Sequence, residues 1–412
     1  MNFRDDGLND DMHFRVTKEN SRSQREIKTF SKLEAIFHST DISKVEFVYN
    51  EEEYGRIDCN IEPKESIDEL YAKRARQLRE TYDHIVVMYS GGIDSTNVLH
   101  TFFDNNLEVD EICTWLFTDI ETDKNAIANR EASNKALPYM QYLKDIGKIK
   151  KATIVEIGQL IINQFDDKTI ADNFAWILNG IANPWILAVR SSPLFKQKFF
   201  SHHDHLIKQG KKIGFIWGFD KCQMMFNKEQ QTYQMYFSDA AFDLQQQRLM
   251  FKKFMDRDVL DLSIDEPFYF SKLHPDITLK QCHMVAKVAE TIPSDASELL
   301  HDTLDDVPTT GPFVQHHSGK YLKKKVIDRI IYPKQDVALF GDDKVKASMI
   351  ISPKMSWYFK YKNREGKNLF LDRVKFLMQK FPNFYLYKNG TPWTTKYFFT
   401  KKYNIRKIVS NA

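Results

Sequence analysis

The chain has 412 residues, 42% of them apolar and 28% charged, which is enough apolar material for two or three cores and excludes global disorder. The net charge is only +3, but residues 320–412 hold 22 Lys and Arg against 6 Asp and Glu, so this stretch carries +16 and the remainder −13. That asymmetry points either to a polyanionic partner or to a basic surface that is solvated or docks on the acidic body.

Four dispersed cysteines without a CxxC exclude a zinc ribbon and a disulfide framework, and no apolar leader follows Met1. The longest apolar run, residues 174–189, is interrupted by Asn179, Gly180, Asn183 and Pro184, so it reads as a pair of buried helices rather than a membrane span. A cytoplasmic setting with no membrane partner is expected.

The first 30 residues or so are polar and are expected to form a loose arm. Alternation at Val45, Phe47, Val48 and Tyr49 predicts a short strand within 32–59. Ile67, Leu70, Tyr71, Ala75 and Leu78 recur at helical spacing within 63–80. From residue 83 strands and helices alternate. Strands are predicted over 85–89, 111–118, 151–157 and 212–217. Helices are predicted over 94–104, with Val98, Leu99, Phe102 and Phe103 facing inward, over 124–146, bent or split by Pro138, and through 174–209.

This rhythm predicts an α/β fold with a parallel, doubly wound sheet that binds ligands beyond the carboxyl ends of its strands. After Asp220 the pattern turns helical and less regular, with a helix over 280–291 and a linker over 305–319. Three regions are expected: an N-terminal arm and small accessory region over 1–80, the α/β domain over 81–300, and a basic, aromatic-rich, mainly helical region over 320–412.

Between the first strand of the α/β domain and its helix stands Tyr89-Ser90-Gly91-Gly92-Ile93-Asp94-Ser95. A helix beginning here aims free N–H groups and the positive end of its dipole at the strand's carboxyl end. Gly91 and Gly92 remove side chains so that an anion can approach the backbone, and Ser90 and Ser95 add hydroxyl donors. Asp94 suits a Mg²⁺ ion that bridges carboxylate and phosphate oxygens. A plain strand–helix turn with a capping residue is the alternative. Neither GxxxxGK[ST] nor GxGxxG fits the segment.

The segment resembles the pyrophosphate-binding loop, SGGxDS, of the PP-loop ATP pyrophosphatase superfamily, over a match that covers roughly residues 83–220. The resemblance implies cleavage of ATP between its α and β phosphates, an adenylated substrate, and displacement of AMP by a nucleophile, with ATP and Mg²⁺ as cofactors. Gly218-Phe219-Asp220-Lys221, at the end of a later strand, is similar to the Gly-x-Asp-Glu of the asparagine-synthetase type, with Lys221 where that type has Glu. The resemblance implies that Asp220 helps to hold magnesium pyrophosphate, and makes Asp94 and Asp220 the expected metal ligands. Read from the residues alone, a strand-end carboxylate and the Lys221 ammonium facing the loop suit a metal and a departing phosphate, so Asp94, Asp220 and Lys221 are the expected catalytic set; an ordinary turn Asp beside a surface Lys is the alternative. Thr118 and Asp119, at the end of the second strand, lie where the superfamily places adenosine; a helix-capping Asp is the other reading.

Cys222 reads as a buried cysteine in preference to a sulfur carrier. His202, His203 and His205 read as a solvated patch, because no further ligand stands at suitable spacing. Asp305 and Asp306, near His301, read as linker charge. No glutaminase domain of the asparagine-synthetase kind is expected, since Asn2 and not Cys follows Met1 and the arm is short.

Two enzyme classes are therefore expected. The first is an adenylating ligase that forms an amide or C–N bond. The second is an enzyme that adenylates a nucleic-acid base carbonyl, favoured by Trp357, Tyr358, Phe359, Tyr361, Trp393, Tyr397, Phe398 and Phe399 interleaved with Lys360, Lys362, Lys396, Lys401 and Lys402. A non-catalytic nucleotide-binding protein is the third reading.

Overall fold

The computed structural model describes residues 12–20, 23–29, 35, 38–39, 42–116, 132–156, 202–218, 221–239, 274–303, 314–340, 385–388, 391–395 and 398–408. Within the expected loose arm, residues 12–20 and 23–29 are instead strands. Strands β1 (Met12–Asn20) and β2 (Ser23–Thr29) form a hairpin, and β3 (Val45–Tyr49) pairs with β1 on its other side. Phe14 and Val16 face inward on this sheet and are fully buried, the period-two pattern of a half-buried strand, hidden in the sequence by Arg15 between them and the polar residues around them. Helix α1 (Glu51–Arg56) follows, then α2 (Ile67–Thr81). In α2 a capping box fixes the start: the Glu69 N–H donates to Ser66 Oγ at 3.2 Å, and the Ser66 N–H donates to Glu69 Oε2 at 2.7 Å. All five apolar residues predicted to face inward on α2 are buried.

The chain then builds the α/β unit. Strand β4 (His84–Met88) leads into α3 (Ile93–Asp104), on which Val98, Leu99 and Phe102 are buried and Phe103 packs at the edge of the core. Strand β5 (Glu111–Leu116) comes next. Helix α4 (Leu137–Asp145) carries Pro138 in its first turn, where a missing N–H costs nothing, and a single π-helical turn precedes it. Strand β6 (Lys151–Glu156), helix α5 (Asp204–Lys208) and strand β7 (Ile213–Trp217) complete the unit.

All pairings in this sheet are parallel, and the spatial order is β6-β5-β4-β7. The chain thus moves outward from β4 to β6 and returns to the far side of β4 for β7. The crevice between the carboxyl ends of β4 and β7 is where the order reverses, the place at which open parallel sheets bind ligands.

Beyond residue 220 the expected helical pattern gives way to a hairpin of β8 (Met224–Asn227) and β9 (Thr232–Met235). Its turn holds no glycine or proline. Instead Asn227 Oδ1 accepts from the N–H groups of Glu229 and Gln230, both at 3.1 Å, and Gln231 takes a left-handed φ of 53°. Helix α6 (Pro275–Thr291), the two-residue strands β10 (Leu300–His301) and β11 (Tyr321–Leu322), and helix α7 (Lys324–Ile331) follow.

Among the described residues after 384 there are three strands and no helix. Strands β12 (Tyr385–Lys388) and β13 (Thr391–Thr395) form a hairpin, and β14 (Tyr403–Lys407) pairs with β9. Among the described residues no helix is long and apolar enough to cross a membrane; the run at 174–189 lies outside them.

Candidate anion-binding site at the carboxyl edge of the sheet

Strand β4 ends at Met88, and Tyr89 continues the ladder by donating its N–H to Cys113 O at 2.8 Å. Gly91 then takes φ +84°, a left-handed turn that a side chain disfavours. Gly92 stands at the N-cap of α3 and offers no side chain to cap it. The start of α3 therefore keeps its dipole end and amide donors for another acceptor.

The turn is braced from within. Ser90 Oγ lies 3.2 Å from Ser95 Oγ and accepts from the Gly92 N–H at 3.2 Å. Ser95 and Thr96 hydroxyls both donate to Gly92 O, at 3.1 and 2.9 Å. Ser90 faces solvent and Gly92 and Asp94 are partly exposed, while Gly91, Ile93 and Ser95 are buried, so the turn presents the Ser90 hydroxyl and the Gly92 backbone to the outside.

Gly218, just past β7, presses against this turn. A Cβ placed on it would lie 2.4 Å from Ser95 N and 2.5 Å from Asp94 C, both backbone atoms that cannot step aside. The sequence pairing of these two segments is thus a physical contact, and its tightness explains why position 218 bears no side chain.

Asp94 is partly exposed and carries the charge of the site. Its Oδ1 accepts from the Tyr332 hydroxyl at 2.6 Å and pairs with Lys221 Nζ at 3.0 Å. Lys221 is 8% exposed and pairs with Asp328 Oδ1 as well, also at 3.0 Å, so a buried ammonium is bracketed by two carboxylates. An ion this deep is tolerated only when it is paired. Burial pushes the Asp94 acid up, but Lys221, Lys324 and the Tyr332 hydrogen bond outweigh it, and the acid is held below the usual carboxylate range. Burial likewise pulls the Lys221 ammonium down, and the two aspartates overcome that and raise it. Asp328 moves the other way: burial and the Asp94 charge raise it, against Lys221.

Asp328 and Tyr332 are site residues that sequence reasoning missed. They sit on α7 and just after it, more than 230 residues from Asp94. Ile327 and Ile331 bury one face of α7. Tyr71 on α2 donates to Ile331 O at 3.0 Å and accepts from Gln281 Nε2 on α6 at 2.9 Å, so two helices fix the end of α7 beside the turn. The available signal was one acid in an otherwise basic segment, KKKVIDRII, one residue off its apolar stripe.

Of the residues expected in the site, Tyr89 to Ser95, Gly218 and Lys221 come together. Thr118, Asp119 and Asp220 lie outside the described residues. Cys222 is buried beside Cys282, whose thiol is pushed up by burial and by that neighbour. Of the interleaved aromatics, Trp357, Tyr358, Phe359, Tyr361 and Tyr397 lie outside the described residues, Phe398 is core, and Phe399 is 43% exposed.

Chemically, this edge offers a helix start without a side-chain cap and an exposed hydroxyl for an anion, with an ammonium and two carboxylates at its flank. Neither the models of known protein families nor the curated proteins give a match to this sequence.

Proposed function

We propose that the chain is a PP-loop ATP pyrophosphatase with a doubly wound α/β domain: it binds ATP with its phosphates on residues 90–95, adenylates an acceptor, and forms an amide or C–N bond. The observation that carries this reading is the contact of Gly218 with the backbone of Asp94 and Ser95, which joins the two motif segments at the sheet's reversal point, beside an uncapped helix start. A plain turn would need neither feature.

The residues present fit the cofactors this reading requires. The amides at the start of α3 and the exposed Ser90 suit phosphate oxygens. Asp94, with Asp220, would hold Mg²⁺, which commonly takes one or two carboxylates together with phosphate oxygens and supplies charge neutralisation. Lys221 holds an ammonium against Asp94 and can carry positive charge toward a departing phosphate. Tyr332 orients the Asp94 carboxylate through its hydroxyl.

The basic C-terminal charge gives the nucleic-acid alternative less support than the sequence suggested. Lys320 pairs with Asp302, Lys334 with Asp68, Lys401 with Glu51, and Arg406 with Glu290, so several of these cations dock on the acidic body.

The test is an ATP cleavage assay that resolves AMP from ADP, run with small carboxylic acids plus ammonia and, separately, with tRNA and DNA. AMP and pyrophosphate formation stimulated by an acid is the expected result, and Asp94→Ala should lower it at least 100-fold. Stimulation by nucleic acid alone would move the acceptor to the second class. ADP as product, or full activity in Asp94→Ala, would refute the pyrophosphatase reading.

A further inference from the structure

The opposite, amino-terminal edge of the same sheet holds a second cluster. His84 opens β4 and Glu111 opens β5, on neighbouring parallel strands. His203 stands in the turn before α5, 92 residues from Glu111. Expected in a solvated patch, His203 is in fact fully buried, with its ring edge-on to Phe215 at 5.3 Å; His202 and His205 are the exposed members. The sequence hid the arrangement because the missing carboxylate lies on another strand.

His203 Nε2 is 2.9 Å and His84 Nε2 3.4 Å from one oxygen, Glu111 Oε2, and the three atoms all lie within 4.8 Å of one another. Three ligand atoms about a tetrahedral zinc ion, each at ~2.0–2.1 Å, stand roughly 3.4 Å apart. The cluster is therefore already close to the spacing that such an ion needs. Glu111 is fully buried, and its Oε1 accepts no hydrogen bond of normal geometry, although the Thr153 hydroxyl lies near it.

We propose that His84, Glu111 and His203 form a divalent transition-metal site that takes Zn²⁺, with water completing the coordination. Two imidazoles and one carboxylate are a borderline donor set that suits Zn²⁺ and disfavours Mg²⁺ and Ca²⁺. The site is separate from the proposed nucleotide site, because the length of β4 lies between them, roughly 13–17 Å for five residues. Its role is to tie the segment that leads into α5 and β7 to the starts of β4 and β5.

One group stands against the ion. Lys151 Nζ is 3.0 Å from Glu111 Oε2 and already supplies a positive charge there. It is 43% exposed on a long stem, so it can leave for solvent when a metal enters. Lys151 is thus a built-in competitor, and its removal should tighten binding.

The full-length chain, stripped with EDTA, would be titrated with Zn²⁺ against a chromophoric chelator and, in parallel, with Co²⁺, whose tetrahedral complexes absorb strongly in the visible. One metal per chain with that absorption is expected. His84→Gln, at the partly exposed ligand, should weaken binding at least tenfold while leaving the far-ultraviolet circular dichroism intact, and Lys151→Met should tighten it about tenfold. No stoichiometric uptake would overturn the site. So would equal affinity in wild type, His84→Gln and Glu111→Gln, which would place the metal on the exposed His202 and His205. An unchanged affinity in Lys151→Met would overturn the competition.

Discussion

At the scale of single residues, one glycine on β7 and one just past it separate site geometry from stability. A Cβ on Gly214 would lie 2.7 Å from the ring of Tyr82, whereas one on Gly218 would strike the backbone of Asp94 and Ser95. Both Gly214→Ala and Gly218→Ala should destabilise by about 1–3 kcal/mol, the usual cost of overpacking. Only Gly218→Ala should also abolish nucleotide binding, because relief of its clash must move the start of α3. Denaturant melts and nucleotide titration on the two variants check this; equal nucleotide affinity would mean the turn does not need that contact.

The sequence made the turn itself legible, because glycines, hydroxyls and an acid at the end of an apolar strand have a local reason to be there. Asp328, Tyr332 and the Glu111–His203 pair were not legible. Their meaning depends on which distant residue each meets, and local spacing holds no information about that.

At the scale of elements, α6 begins with an electrostatic weakness. His274 stands at its N-cap without capping it, and its Nδ1 is buried without a hydrogen bond. Burial lowers its pKa to about 4, helped by the nearby Arg74. A histidine lowered in the folded state takes up its proton more readily when unfolded, so its contribution is present above about pH 6.5 and is lost as the pH falls toward 4. The loss should approach about 3 kcal/mol, at ~1.4 kcal/mol per pH unit. His274→Gln should flatten the fall in melting temperature between pH 6.5 and 4; an unchanged slope would assign the acid sensitivity elsewhere.

Elements with long, consistent periodicity were readable from sequence: α2, α3 and the four parallel strands lie within a few residues of their expected bounds, while α6 ends where expected but begins five residues earlier, at Pro275. The hairpin of β8 and β9 was not. Its four-residue strands are too short for alternation to stand out, and its turn uses Asn227 and Gln231 in place of the expected glycine or proline.

At the scale of the whole molecule, the beginning and the far end of the chain share a core. Phe14 packs on Phe47 and Phe398, with ring centroids 5.6 and 5.8 Å away, and the Phe47 N–H donates to Phe399 O at 3.2 Å. β14 adds an edge to β9 and β8. Removal of residues 398–412 should therefore leave β1–β3 without a cover and unfold them at room temperature. The milder Phe398→Ala should cost about 3–5 kcal/mol as a large buried aromatic. Circular dichroism and thermal melts decide, and a truncated chain that melts like the intact one would refute the shared core. Docking of the basic region on the acidic body was one of two readings of the charge asymmetry, but its partner was not legible, since the polar amino-terminal stretch read as a loose arm.

This closure also bears on biosynthesis. Phe14 and Phe47 leave the ribosome roughly 350 residues before Phe398 exists. At about 5–20 residues per second, they wait on the order of 20–70 s with their greasy face bare. A nascent chain stalled near residue 390 should thus be a better chaperone client than the 412-residue chain that includes Phe398.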